Sequence, residues 1–143
     1  MPEIFLSEED MQQELTDSEF LEQFENKTLP AEQFHHSNHV RMAWIYLQRG
    51  ELLEALEKFS ASLKLFAKAK GASNRYHETI TWAYIFLINE RIKRTGETQS
   101  WEQFAADNED LLIWKPNILE KYYRPETLKS KLAKQTFVFP DLW

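Results

Sequence analysis

The sequence predicts an all-α, single-domain helical bundle over residues 1–143, and three observations carry that expectation. Turn-formers are scarce, with Gly 3 and Pro 5, too few to punctuate many short strands. Apolar residues recur at steps of three and four over long stretches, the period of one helix face. No Gly/Ser-rich linker divides the 143 residues, a length that suits one core. Aromatic residues make up 14%, so much of that core must be built from rings.

About five to seven helices are expected from the pattern. Residues 7–15 and 17–26 read as two short helices, opened by Ser7 and Asp17 with acidic residues behind them. Phe20, Leu21 and Phe24 form the apolar stripe of the second. Pro30 suits a first helical turn, and a long helix runs from there to Gly50. The next helix places Leu52, Leu56, Phe59, Leu63 and Phe66 on one face and stops at Gly71. A third long helix is expected from Ser73 or Asn74 to the basic ending ERIKRTG. Ser100 caps a shorter helix through SWEQFAADNEDLL, NILEKYY follows, and Pro125 opens PETLKSKLAK. The last residues, TFVFPDLW, read as an extended C-terminal arm.

Composition excludes several functions. A net charge of −6 disfavours nucleic-acid binding, which needs clustered Lys and Arg against phosphate. No apolar run approaches the roughly 18 residues that span a bilayer, and MPEIFLSEED does not read as a secretory signal. Cysteine is absent, which removes disulfides and thiolate chemistry. Neither a G-x-S-x-G elbow nor a phosphate-cradling glycine loop occurs. The expectation is a soluble cytoplasmic protein.

Chemistry concentrates in QFHHSNHVRMAW and RYHETITWAY, which hold all four histidines. On a helix, His36 leads the row Val40, Ala43, Leu47 and so points inward, with His39 about 60° around the same helix. His35 falls toward the rim, although His35 and His39 also form an i, i+4 pair. His77 heads a row through Ile80 or Thr81, Tyr84 and Leu87. An up-down-up path brings both helix starts to one end of the bundle, where His36, His39 and His77 can meet. Three imidazoles with a carboxylate suit a divalent transition metal, such as zinc, iron or copper. Glu32, one turn before His36, is the candidate fourth ligand. Glu78 is the candidate base and Arg41 the candidate cation for an anionic substrate. The expected activity is that of a metal-dependent hydrolase or oxidoreductase on a small molecule. The competing expectation is that histidines at helix starts bond to the backbone. Thr79 and Thr81 flank Ile80 and are expected to bond to carbonyls of the preceding turn, while Glu90 is expected in solvent.

Two resemblances add to this. Tyr46, Gly50, Ala55, Phe59 and Leu63 are spaced like the landmarks of a tetratricopeptide repeat, with Ser62 where that pattern has Ala. Shifted by the repeat length of about 34 residues, Gly50 falls on Tyr84 and Ala55 on Asn89, so a single TPR-like hairpin is expected. It implies an alternative function, a non-catalytic module that presents residues 31–70 to a protein partner. Separately, Phe34, His36, His39, Val40, Arg41, Ala43 and Trp44, with Tyr76, His77, Thr79 and Thr81, resemble an F-x-H-x-x-H-V-R-x-A-W … Y-H-x-T-x-T pattern. That pattern belongs to a family of small bacterial helical proteins of unassigned activity, and it implies that His36 and His39 belong to the motif.

Overall fold

Long rows of Leu, Ile, Phe and Ala at helical spacing bury their stripes against each other, and the result is an all-α bundle. The computed structural model describes residues 15–142. Eight α-helical segments lie among them: α1 (Asp17–Glu25), α2 (His36–Arg49), α3 (Leu52–Ala69), α4 (Glu78–Thr95), α5 (Trp101–Asp107), α6 (Glu109–Leu112), α7 (Pro125–Lys129) and α8 (Lys131–Gln135). The helix expected over residues 7–15 falls outside the described residues save for Leu15.

Helix starts differ from expectation for local reasons. Thr16, not Asp17, caps α1: its hydroxyl accepts from the Glu19 N–H at 3.1 Å, while the Glu19 carboxylate accepts from the Thr16 N–H at 3.1 Å. The long helix expected from Pro30 is instead a 3₁₀ turn over Ala31–Gln33, a break at Phe34 and His35, and then α2. The third long helix is broken the same way, with a 3₁₀ turn over Ser73–Arg75 and α4 starting at Glu78. NILEKYY forms a 3₁₀ turn over Ile118–Lys121. Two expected helices each split in two, which raises the number of segments. Asn108 ends α5 and turns its amide back to the Phe104 carbonyl at 2.9 Å. Ser130 leaves the helical region and caps α8 through the Ala133 N–H at 3.1 Å.

The bundle's centre is α2, α3 and α4, each in contact with the other two. Phe24 of α1 is 1% exposed and sits among Phe34, Phe59 and Phe66, with ring centroids 5.1, 6.1 and 5.1 Å away. This ring cluster fastens α1 across the α2–α3 hairpin. On another side, Trp44 meets Trp101 and Phe104 of α5 at 5.8 and 6.3 Å. Beyond α8, residues 137–142 carry no helix or strand. There Phe137 stacks on Trp82 at 5.8 Å, and the Thr79 hydroxyl bridges the Thr136 carbonyl and the Val138 N–H.

Candidate functional site

The two 3₁₀ turns matter because each halts the chain just before a long helix and leaves a histidine at its start. His36 is the first residue of α2, and His77 caps α4. His39 lies one turn into α2. The C-terminal half of α3 runs past both starts, and the three elements enclose a cleft of about 530 Å³ lined by His36, His39 and His77 together. The expected convergence on one cavity therefore occurs.

The imidazoles are occupied very differently. His77 Nδ1 accepts from the Ile80 N–H at 3.1 Å, so it carries a lone pair, and Nε2 therefore carries the proton it donates to the Leu128 carbonyl at 2.7 Å. Both nitrogens are used. His36 Nε2 donates to the Leu111 carbonyl at 2.9 Å, with its ring between Tyr84 and Trp114 at 4.8 and 4.9 Å. Desolvation lowers the His36 pKa, partly opposed by that hydrogen bond. His39 stacks on Phe34 with centroids 4.1 Å apart, and a weak bond to the Phe34 backbone is its one polar contact among the described residues. Desolvation, helped by the neighbouring His36, lowers its pKa to about 4, so at neutral pH it is an uncharged ring facing the cleft.

The expected metal set of His36, His39, His77 and Glu32 is not supported by the geometry. Among the described residues no group of three or more His, Asp or Glu side chains is placed to hold a metal ion. His77 spends both nitrogens and His36 its Nε2 on backbone groups, and Glu32 is exposed in the 3₁₀ turn, off the cleft wall.

The two expected catalytic residues also lie elsewhere. Arg41 is 5% exposed and points to α1, where it donates to the Leu15 carbonyl at 2.8 Å and to Asp17 at 2.9 Å, its guanidinium 4.7 Å over the Phe20 ring. It fastens the first helix rather than meeting a substrate. Glu78 accepts the Tyr76 hydroxyl at 2.6 Å, with Lys64 Nζ 3.8 Å away, and is absent from the cleft wall. Thr81 does bond back to the His77 carbonyl at 2.7 Å, whereas Thr79 reaches the C-terminal segment; Glu90 is exposed beside Arg94 at 3.3 Å.

The rest of the cleft is apolar with a basic edge. Phe34, Leu63, Phe66, Ile80 and Trp114 contribute walls, and Lys70 and Arg75 stand at the edge. Beneath it a smaller cavity of about 50 Å³ continues between Val40, Ala43, Phe59, Tyr84 and Ile88. The sequence reading missed Lys70 and Arg75, since a basic residue at a helix end is accounted for by the helix dipole alone. Their position on either side of the Gly71 turn, where φ is +70°, was the available signal.

No match is found. Neither a family model, nor a curated protein, nor a solved structure matches the chain, so the functional reading rests on the cleft itself.

Proposed function

We propose that the chain binds a small molecule with a largely apolar body in the cleft between the starts of α2 and α4 and the end of α3. One observation carries the reading. His39, stacked on Phe34 and bonded only to that residue's backbone, lines together with His36 and His77 a cleft of about 530 Å³ whose other walls are mainly apolar and aromatic. Concave apolar sites with a few convergent polar groups are the usual architecture of ligand pockets. A neutral His39 can donate or accept one hydrogen bond, and it is the group best placed to exchange a proton with a bound molecule.

The alternative, a TPR-like hairpin docking a peptide, has less support. The large exposed apolar residues of the α2–α3 hairpin are Leu53 and Leu65, 74% and 53% exposed. Twelve positions of helix place them about 18 Å apart and about 120° around the axis, so they form no continuous groove.

A binding experiment with 2-naphthylmethanol tests the reading, followed by tryptophan fluorescence, because Trp114 stands on the wall. The control is Ala67→Phe, which fills the cleft from a half-buried position on α3. Saturable binding by the natural sequence that is lost in Ala67→Phe is expected. Identical titrations of the two proteins would defeat the proposal.

A further inference from the structure

We infer that the ligand is an organic oxyanion with a flat apolar body, its charge at Lys70 and Arg75 and its body toward the floor of the cleft. The inference rests on the small-molecule reading above and adds the ligand's charge and orientation. Among the described residues Asp and Glu are about as numerous as Lys and Arg, yet none of those acids lines the cleft. Lys70 and Arg75 do. The nearest acids on the two helix starts are turned away: Glu32 faces solvent, and Glu78 is held by Tyr76 and Lys64.

Both cations keep donors to spare. Lys70 Nζ uses one on the Lys27 carbonyl at 3.0 Å and lies 5.4 Å from the centre of the Phe66 ring, a wall of the cleft. Arg75 is exposed and makes no side-chain hydrogen bond or ion pair among the described residues. Lys70 and Arg75 line only the larger cleft. The smaller cavity, which shares Leu63 and Ile80 with it, has no Lys or Arg and adds Val40, Ala43, Phe59 and Ile88 to the polar His36, His39, Thr81 and Tyr84. A molecule with one charged end and one flat apolar end matches that contrast at both ends. A neutral molecule leaves the edge unmatched, and a cation meets like charge there.

Four ligands on one ring system separate the terms: 2-naphthoate, 2-naphthyl phosphate, neutral 2-naphthylmethanol and the cation 2-naphthylmethylammonium. Each is titrated against the natural sequence and a Lys70→Met, Arg75→Met double variant at low and high salt. We expect one or both oxyanions to bind about tenfold tighter than the alcohol, the combined effect of two partly exposed cations. That advantage should shrink to about twofold or less in the double variant and in high salt. The stronger of the two oxyanions identifies carboxylate or phosphate as the preferred head. If the alcohol binds as tightly as both oxyanions, the charge assignment is overturned while the small-molecule reading survives. An oxyanion preference unchanged in the double variant overturns the role of Lys70 and Arg75. Failure of all four ligands defeats both proposals.

Discussion

His77 donates its Nε2–H to the carbonyl of Leu128 at 2.7 Å, tying the start of α4 to a residue 51 positions further along the chain. The other nitrogen of the same ring caps α4 through Ile80. His36 repeats the arrangement at the start of α2, reaching the Leu111 carbonyl at 2.9 Å. Two of the three cleft histidines are thus fasteners between the central helices and the C-terminal third, and they also form part of the cleft wall.

Removing the His77 ring should therefore loosen two elements at once. His77→Ala loses the cap and the cross-chain bond and is expected to cost about 2–3 kcal/mol. His77→Asn keeps a capping acceptor and should cost about 1 kcal/mol. Urea unfolding at neutral pH measures both; two variants as stable as the natural sequence would show that the bond to Leu128 is not formed in solution.

Acid should destabilise the protein through His39. In the folded chain its pKa is lowered to about 4, from an ordinary value of 6.5, chiefly by desolvation. Between those two values the unfolded chain binds a proton that the folded chain refuses, so stability falls as pH falls through that window. The loss approaches about 3 kcal/mol if the whole shift is realised, and the lowered pKa of His36 acts in the same direction. His39→Phe, which keeps a ring against Phe34, should flatten the pH profile relative to the natural sequence. Parallel profiles for the two proteins would remove His39 as the cause.

Arg41 offers a separation of stability from binding. It holds Asp17 and the Leu15 carbonyl from a buried position remote from the cleft wall. Arg41→Ala is expected to cost about 1–2 kcal/mol, from the lost bond to the Leu15 carbonyl and the lost packing on Phe20, since Asp17 is half exposed and resolvates. Affinity for 2-naphthoate, measured well below the unfolding transition, should stay within about twofold. A large loss of affinity without a loss of stability would place Arg41 in the site after all.

Transition metals give a further check. Because His77 spends both nitrogens and His36 one on the backbone, Zn²⁺ at equimolar concentration should raise the melting temperature by less than about 1 °C. Elemental analysis of the purified protein and of a His36→Ala, His39→Ala double variant should show the same negligible metal. Stoichiometric metal present in the first and missing from the second would restore the ligand set expected from sequence.

Helical spacing alone was enough to place the core faces. The rows led by His36 and by Leu52 were legible because a helix repeats every 3.6 residues, so a local pattern states which face is apolar. The same spacing, with one helix between the two motifs, placed His36, His39 and His77 at one end of the bundle. The breaks at Phe34–His35 and Tyr76–His77 were harder to see, since no glycine marks them and Pro30 suggested an earlier start. Local polar bonds were legible, as with Thr81 and the His77 carbonyl one turn back, but long-range partners were not. Leu111 lies 75 positions from His36, Leu128 51 from His77 and Leu15 26 from Arg41.

The amino-acid order determined, by itself, an all-α chain with inward-facing imidazoles at two helix starts. Tertiary packing decided that two of those rings serve as backbone fasteners and that the third is left to the cleft. It also decided that Lys70 and Arg75, rather than Arg41, bring positive charge to it. The reason is physical: periodicity is a property of neighbours in sequence, whereas the partner of a hydrogen-bonding group is chosen by whatever distant backbone the fold brings within about 3 Å.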